Sequence, residues 1–231
     1  MRAWCRVFGA RRCAVSSQAQ AGPGSSLLLV LDATERLHGS ILPLWEDLPA
    51  ISERRAFIAH SFCRIVRDDV RAQYALLRLG LDVPALTLVR PCFEALVRAI
   101  WVKEGAKEEW VAAFLTLTAE AISSSGETQM GPSVGRMLEE ISNRCPEFVW
   151  RPLRMLKDET WRAMNSYVHG GIRAIGQVNS PENWDQLASA MLNANMMLVI
   201  ATNLARMTSG MRSPEIAAIQ RNHPGALPPP P

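Results

Sequence analysis

Apolar residues along this chain recur at helical spacing, three or four positions apart. No stretch alternates β-branched and polar residues between hairpin dipeptides, so the pattern predicts an all-α protein. A first helix is expected from Ser26 to Glu46, closed by Pro49. Ser52 opens a second that runs to Leu79 and stops at Gly80. Asp82 caps a third, with Pro84 in its first turn, which extends to Glu104. A fourth spans Lys107 to Ile122, with Trp110, Phe114, Leu117 and Ala121 on one face. Breakers fill residues 123–133, and a short helix follows at Val134–Ser142. Pro146 and Pro152 punctuate the next stretch. A helix from Leu153 to Val168 then ends at two glycines, in "NSYVHGG". Ser180 and Pro181 start the last long helix, to Thr208, and Pro214–Asn222 adds a turn or two. The expected architecture is a single up-and-down bundle of about six main helices over residues 25–222. A basic N-terminal extension (1–24) and a Pro-rich tail (223–231) flank it, both expected to stay unpacked.

Composition supports a globular chain, with 48% hydrophobic and 20% charged residues. The formal charge of +3 permits an anionic partner without requiring one. Cys5, Cys13, Cys63, Cys92 and Cys145 form no CxxC pair and show no zinc-site spacing. They read as reduced thiols of a cytoplasmic protein, with Cys63 and Cys92 as core packers; no metal or cofactor is expected. Arg2, Arg6, Arg11 and Arg12 precede any acid, and "AQA" resembles a cleavage site. The continuous apolar stretch of about 7–15 residues that a secretory signal needs is missing. Residues 186–205 carry no formal charge and are long enough to cross a bilayer. Gln186, Asn193, Asn195 and Asn203 would be costly in lipid, so this segment is expected to be a buried helix or a subunit interface, with no integral membrane segment.

Charge matters most in the third helix. "VPALTLVRPCFEALVRAIWV" is apolar almost all round, yet Arg90, Glu94 and Arg98 interrupt it every four residues and form one stripe, extended by Thr87 and Trp101. A buried charge needs a partner. Glu94 can serve both arginines, which leaves a positive surplus. Asp68 or Asp69 of the second helix can offset it, as can a phosphate or carboxylate that fits the guanidinium fork. Pro91 predicts a kink beside these charges. The second helix aligns His60, Arg64, Arg67, Asp68 and Arg71 on one face, and a basic groove between the two helices is expected. In the competing reading the stripe is an internal salt-bridge network and the basic face is solvated.

The helix before the glycines carries a second stripe, Asp158, Arg162, Asn165 and His169, with Trp161, Met164 and Val168 turned to the core. His169 and Gly170 can simply close the helix. Arg162, Asn165 and His169 can instead join Arg90 and Arg98 around an anion. In a third reading His169 transfers protons while Arg162 stabilises a phosphoryl charge. No Walker loop, GxGxxG, GxSxG, HExxH or Glu-x-x-His pair is present.

Over residues 55–172 the segments "LVRPCFEALVRAIWV" and "MNSYVHGG" resemble uncharacterised bacterial all-helical families with RPxxEAxVR and NxxxHG motifs. Arg90, Pro91, Glu94, Asn165, His169 and Gly170 are the matching positions. More distantly, Arg162 and His169 resemble the R-x4–6-H motif of the HEPN superfamily. That resemblance implies a HEPN-like bundle that cleaves RNA without metal, through attack of the 2′-hydroxyl, with Arg and His brought together across a homodimer. The commoner form of that motif has an arginine where this chain has Met164. The implied partners are RNA or another phosphate-bearing ligand and a second copy of the chain. The rival is a non-enzymatic structural or protein-interaction bundle.

Overall fold

The structure, a computed structural model, describes residues 25–114, 131–180 and 183–229. Among these every regular element is helical and none is a strand. In chain order they are α1 (Ser25–Ile41) with a 3-10 turn (Leu42–Trp45), α2 (Arg54–Arg78), α3 (Asp82–Thr87), α4 (Val89–Glu104) and α5 (Glu108–Phe114). Then follow α6 (Val134–Ser142), α7 (Glu147–Val168), α8 (Ile172–Asn179), α9 (Trp184–Thr208), α10 (Pro214–Asn222) and a 3-10 turn (Pro224–Ala226).

The centre is α2 packed on α4 and α9, with α1 laid on α9. Leu31, Leu37, Ile58, Cys63, Val66, Phe93, Leu96, Leu187, Met191 and Leu198 are buried there. Cys63 and Cys92 act as small apolar groups in this core. Helix α9, without formal charge from Gln186 to Ala205, is the one helix among the described residues long and apolar enough to cross a membrane, and most of it is covered by its neighbours. Of its two buried asparagines, Asn193 leaves its amide nitrogen without a partner among the described residues, while Asn195 is fully satisfied. Asn195 gives its amide to Thr34 Oγ1 (2.8 Å) and to the Ala226 carbonyl (2.9 Å). Charged ends tie the elements together. Arg55 of α2 caps the end of α4, donating to the carbonyls of Val102 (2.6 Å) and Ala106 (2.8 Å) and to Glu108 (2.7 Å). Arg206, almost fully buried, binds Glu215 (2.5 Å) and the Leu44 carbonyl (3.1 Å), so α9, α10 and the first 3-10 turn share one cation.

Several boundaries differ from the sequence pattern, each for a physical reason. The predicted third helix is two, α3 and α4, interrupted at Leu88. Pro91 has no N–H to give the Thr87 carbonyl, so the ladder fails at that point and a new helix begins. The cap of α2 is Glu53 rather than Ser52, its carboxylate accepting from Arg55 N (2.8 Å) and Ala56 N (2.6 Å). Helix α7 begins at Glu147 and runs through Pro152, six residues before the expected start. The bond that Pro152 omits belongs to Phe148, in a turn that faces solvent. The helix α8 was not foreseen. The tail was expected to stay unpacked, but Ala226 and Leu227 are buried against α1. The extension 1–24 with Cys5 and Cys13, and residues 115–130 with Leu117 and Ala121, lie outside the described residues.

Candidate functional site

The charged stripe of α4 meets α7. Arg90 gives Nε to Glu94 Oε1 at 2.8 Å, and Arg98 gives Nη1 to Glu94 Oε2 at 3.0 Å. One carboxylate therefore holds two guanidiniums, as the four-residue spacing predicts. The three side chains are only 25%, 17% and 13% exposed, which strengthens their attraction beyond that of a surface pair. Further along the stripe, Thr87 Oγ1 lies 3.4 Å from the Tyr167 carbonyl, and Trp101 Nε1 donates to Glu140 of α6 at 2.6 Å.

The face that α7 turns to α4 is Lys157, Trp161, Asn165 and His169, again at four-residue intervals. Arg90 stands over the Trp161 ring at 4.9 Å and Lys157 flanks the same ring at 5.8 Å, both cation–π contacts. Arg90 also points Nη1 at His169 Nε2, 3.3 Å away. A guanidinium has no lone pair, so His169 must accept there with a neutral imidazole that carries its proton on Nδ1. One turn before His169, Asn165 has a buried Oδ1 with no hydrogen-bond partner among the described residues.

This placement corrects part of the sequence reading. Trp161 packs against the core, as expected, and its ring also meets the seam under the Arg90 guanidinium. Arg162 is exposed, and no hydrogen bond or ion pair joins it to the seam among the described residues. Asp158 is exposed and pairs with Lys157 at 3.5 Å. Arg64 and Asp68 do not form a groove with α4. Asp68 binds Arg67 (2.9 Å) and Arg71 (3.9 Å) on the face of α2 turned to α1, and Arg64 is exposed. Asp69 lies near Cys92, on the side of α4 away from Glu94. Burial, and then the neighbouring Asp68, push its carboxyl up to about 6. Neither acid of α2 supplies the seam with its extra anion. The structure thus brings together Arg90, Glu94, Arg98, Asn165 and His169, and leaves Arg162, Arg64 and Asp68 apart. Sequence reasoning missed Lys157 and Trp161, whose spacing with Asn165 and His169 repeats that of the α4 stripe.

The glycines of "NSYVHGG" have separate tasks. His169 caps α7, Gly170 takes φ +64°, and Gly171 N–H returns to the Ser166 carbonyl at 2.6 Å while Gly170 N–H reaches Tyr167 (3.4 Å). This is the Schellman closure. Gly171 is packed against Ser166, where a Cβ would come within 2.7 Å of Oγ. That same Oγ accepts from Arg173 N at 3.0 Å and starts α8. Gly170→Ala is expected to lower stability by about 1–2 kcal/mol, because the left-handed backbone disfavours a Cβ. Gly176→Ala in α8, where a Cβ meets no atom within 4 Å, is expected to be neutral or stabilising. Urea unfolding of both variants checks this, and equal effects would contradict it.

Among the described residues no group of three or more His, Cys, Asp or Glu side chains is placed to hold a metal ion. In comparisons with known proteins, residues 63–229 match a family of unknown function (DUF6988). Neither the curated proteins nor the solved structures contain a match to the chain.

Proposed function

The chain belongs to that family of unknown function, which lends it no activity, and we propose that the seam between α4 and α7 binds an anionic group such as a phosphate. Arg90 carries this reading. Its guanidinium is braced by Trp161 and Glu94, and its remaining contact is to a neutral imidazole nitrogen. An anion is a stronger acceptor for a guanidinium than a neutral nitrogen. On displacing His169 it would take the open face of the Arg90 guanidinium. Lys157 stands against the same Trp161 ring, and Asn165 lies one turn before His169 on the same helix face.

The most concrete version is a HEPN-like, metal-independent ribonuclease working as a homodimer. Two observations favour it. Arg162 and His169 are both exposed near the end of α7, seven residues apart and so on nearly one face. Directly after them α8 exposes Ile172, Ile175 and Val178, 79%, 54% and 69% accessible, as an apolar stripe that a second copy can cover. The rival is a structural bundle whose seam only holds α4 to α7.

Inorganic phosphate and a single-stranded RNA oligonucleotide are the probes. Phosphate at a hundred times Kd is expected to stabilise the wild-type protein by about 2.7 kcal/mol in thermal unfolding, and Arg90→Gln and His169→Ala to lose that gain. RNA cleavage in the presence of chelator, absent in His169→Ala, supports the ribonuclease. If neither probe binds, no RNA is cut, and His169→Ala only lowers the melting temperature, the seam is structural.

A further inference from the structure

A second polar constellation lies on the far side of α2, away from the seam. There α1 and α2 flank an open cleft of about 710 Å³, lined among others by Glu35, His38, Arg67, Asp68, Arg71 and Tyr74. That volume is typical of small-molecule sites.

The floor of the cleft is His38, only 7% exposed. The state of its ring follows from its partners. The Asn195 amide nitrogen donates to the Ala226 carbonyl (2.9 Å) and to Thr34 Oγ1 (2.8 Å). A carbonyl can only accept, so this nitrogen is fixed and Asn195 Oδ1 must face His38, 3.3 Å from Nε2. Nε2 therefore carries the proton and Nδ1 is a bare lone pair. No donor of the protein meets Nδ1 among the described residues, and the ring lines the cleft. Tyr74 packs edge-on at 5.5 Å and holds the ring plane. Burial keeps the imidazole neutral, with its pKa lowered to about 4.

The rim supplies charge. Arg67 lies over Trp45 at 5.1 Å and uses Nε on Asp68, at 2.9 Å. Arg71 is more than half exposed and held only loosely, 3.9 Å from the same carboxylate. Two guanidiniums thus share one acid. Glu35 on the opposite rim is engaged by Arg78 at 3.3 Å. The walls between floor and rim are Leu42, Ala72, Ala75 and the Tyr74 ring.

A fixed acceptor that opens onto the floor, apolar walls and two guanidiniums sharing one acid at the mouth define a ligand with the reverse polarity. We propose that this cleft is a second binding site, for a small aromatic carboxylic acid that donates an O–H or N–H to His38 Nδ1 and gives its carboxylate to Arg71 and Arg67. The site is independent of the seam, since it shares no residue with it.

The test uses the full chain and 4-hydroxybenzoate as probe, with affinity read by calorimetry and the His38 ring by 15N NMR. The expected Kd is about 1 mM, the range for a ligand of this size. 4-Methoxybenzoate, which lacks the donor, should bind roughly fivefold more weakly, and 4-hydroxybenzamide, which lacks the charge, roughly tenfold. Arg71→Gln should match the second loss. Ala72→Leu, on a partly exposed position, fills the wall and should abolish binding without unfolding the chain. His169→Ala should leave it unchanged. Absence of saturable binding by 4-hydroxybenzoate at about 20 mM overturns the proposal. Equal affinity for all three compounds, or for all variants, overturns it as well.

Discussion

Replacing Glu94 with alanine is expected to destabilise the fold by about 2–3 kcal/mol and to lower the melting temperature by about 5–10 °C. Removing one member of a fully buried ion pair costs about 3–5 kcal/mol, because the remaining charge is left without a partner. Here two guanidiniums depend on one carboxylate, at 2.8 and 3.0 Å, and 17% exposure of Glu94 lets water offset part of the loss. Glu94→Gln preserves shape and an acceptor, so its penalty should be about half as large. Calorimetry in two buffers adds a functional reading. If the seam takes an anion, phosphate will restore a good part of the stability that Glu94→Ala loses, by standing where the carboxylate stood. A deficit below about 0.5 kcal/mol would mean that the stripe is a surface feature.

A second large effect is the pH dependence set by His38. The unfolded chain takes up this proton near pH 6.5, while the folded protein resists it until about 4. The contribution is therefore complete above pH 6.5. It falls by about 1.4 kcal/mol per unit below that, to a loss of about 3 kcal/mol at pH 4. Burial also lowers His60, which acts in the same direction. Asp69 opposes both. Its carboxyl, pushed up to about 6, takes a proton in the folded state that the unfolded chain accepts only near 3.8, so acidification stabilises the protein across that window. The wild-type curve should be shallow for this reason, and single variants should separate its parts. Asp69→Asn is expected to lose stability steadily from pH 6.5 to 4 in urea unfolding, while His38→Gln gains it. Parallel curves for wild type and both variants would contradict the burial of these groups.

Much of the fold was legible because helical pitch decides which residues share a face. The α4 stripe, the shared role of Glu94 and the glycine stop of α7 all followed from spacing. Pitch does not say which neighbour a face will meet. Asp68 and Arg64 share a face of α2, as predicted, but that side is turned to α1, while Cys63, Val66 and Val70 face the core. The same gap hid the second role of Trp161, whose ring packs against the core and also carries Arg90. Helix α8 escaped notice because its apolar residues Ile172, Ile175 and Val178 face solvent, so its pattern signals no burial. Pro91 and Pro152 show the limits of a breaker signal. The first splits a helix where the freed carbonyl is Thr87, and the second is carried inside one. His38 was not singled out, because a lone histidine among leucines gives no hint of an asparagine 157 residues away.

The docked tail has a consequence for that histidine. Asn195 is locked in one orientation by the Ala226 carbonyl, and its lock fixes where the His38 proton resides. With the chain cut before residue 226 the amide keeps a single acceptor, Thr34 Oγ1, whose own hydrogen goes to the Val30 carbonyl, and its hold on the imidazole tautomer weakens. A clip or a fusion near the end of the protein would then be written into the chemistry of a ring near its beginning, with every residue of the cleft still in place.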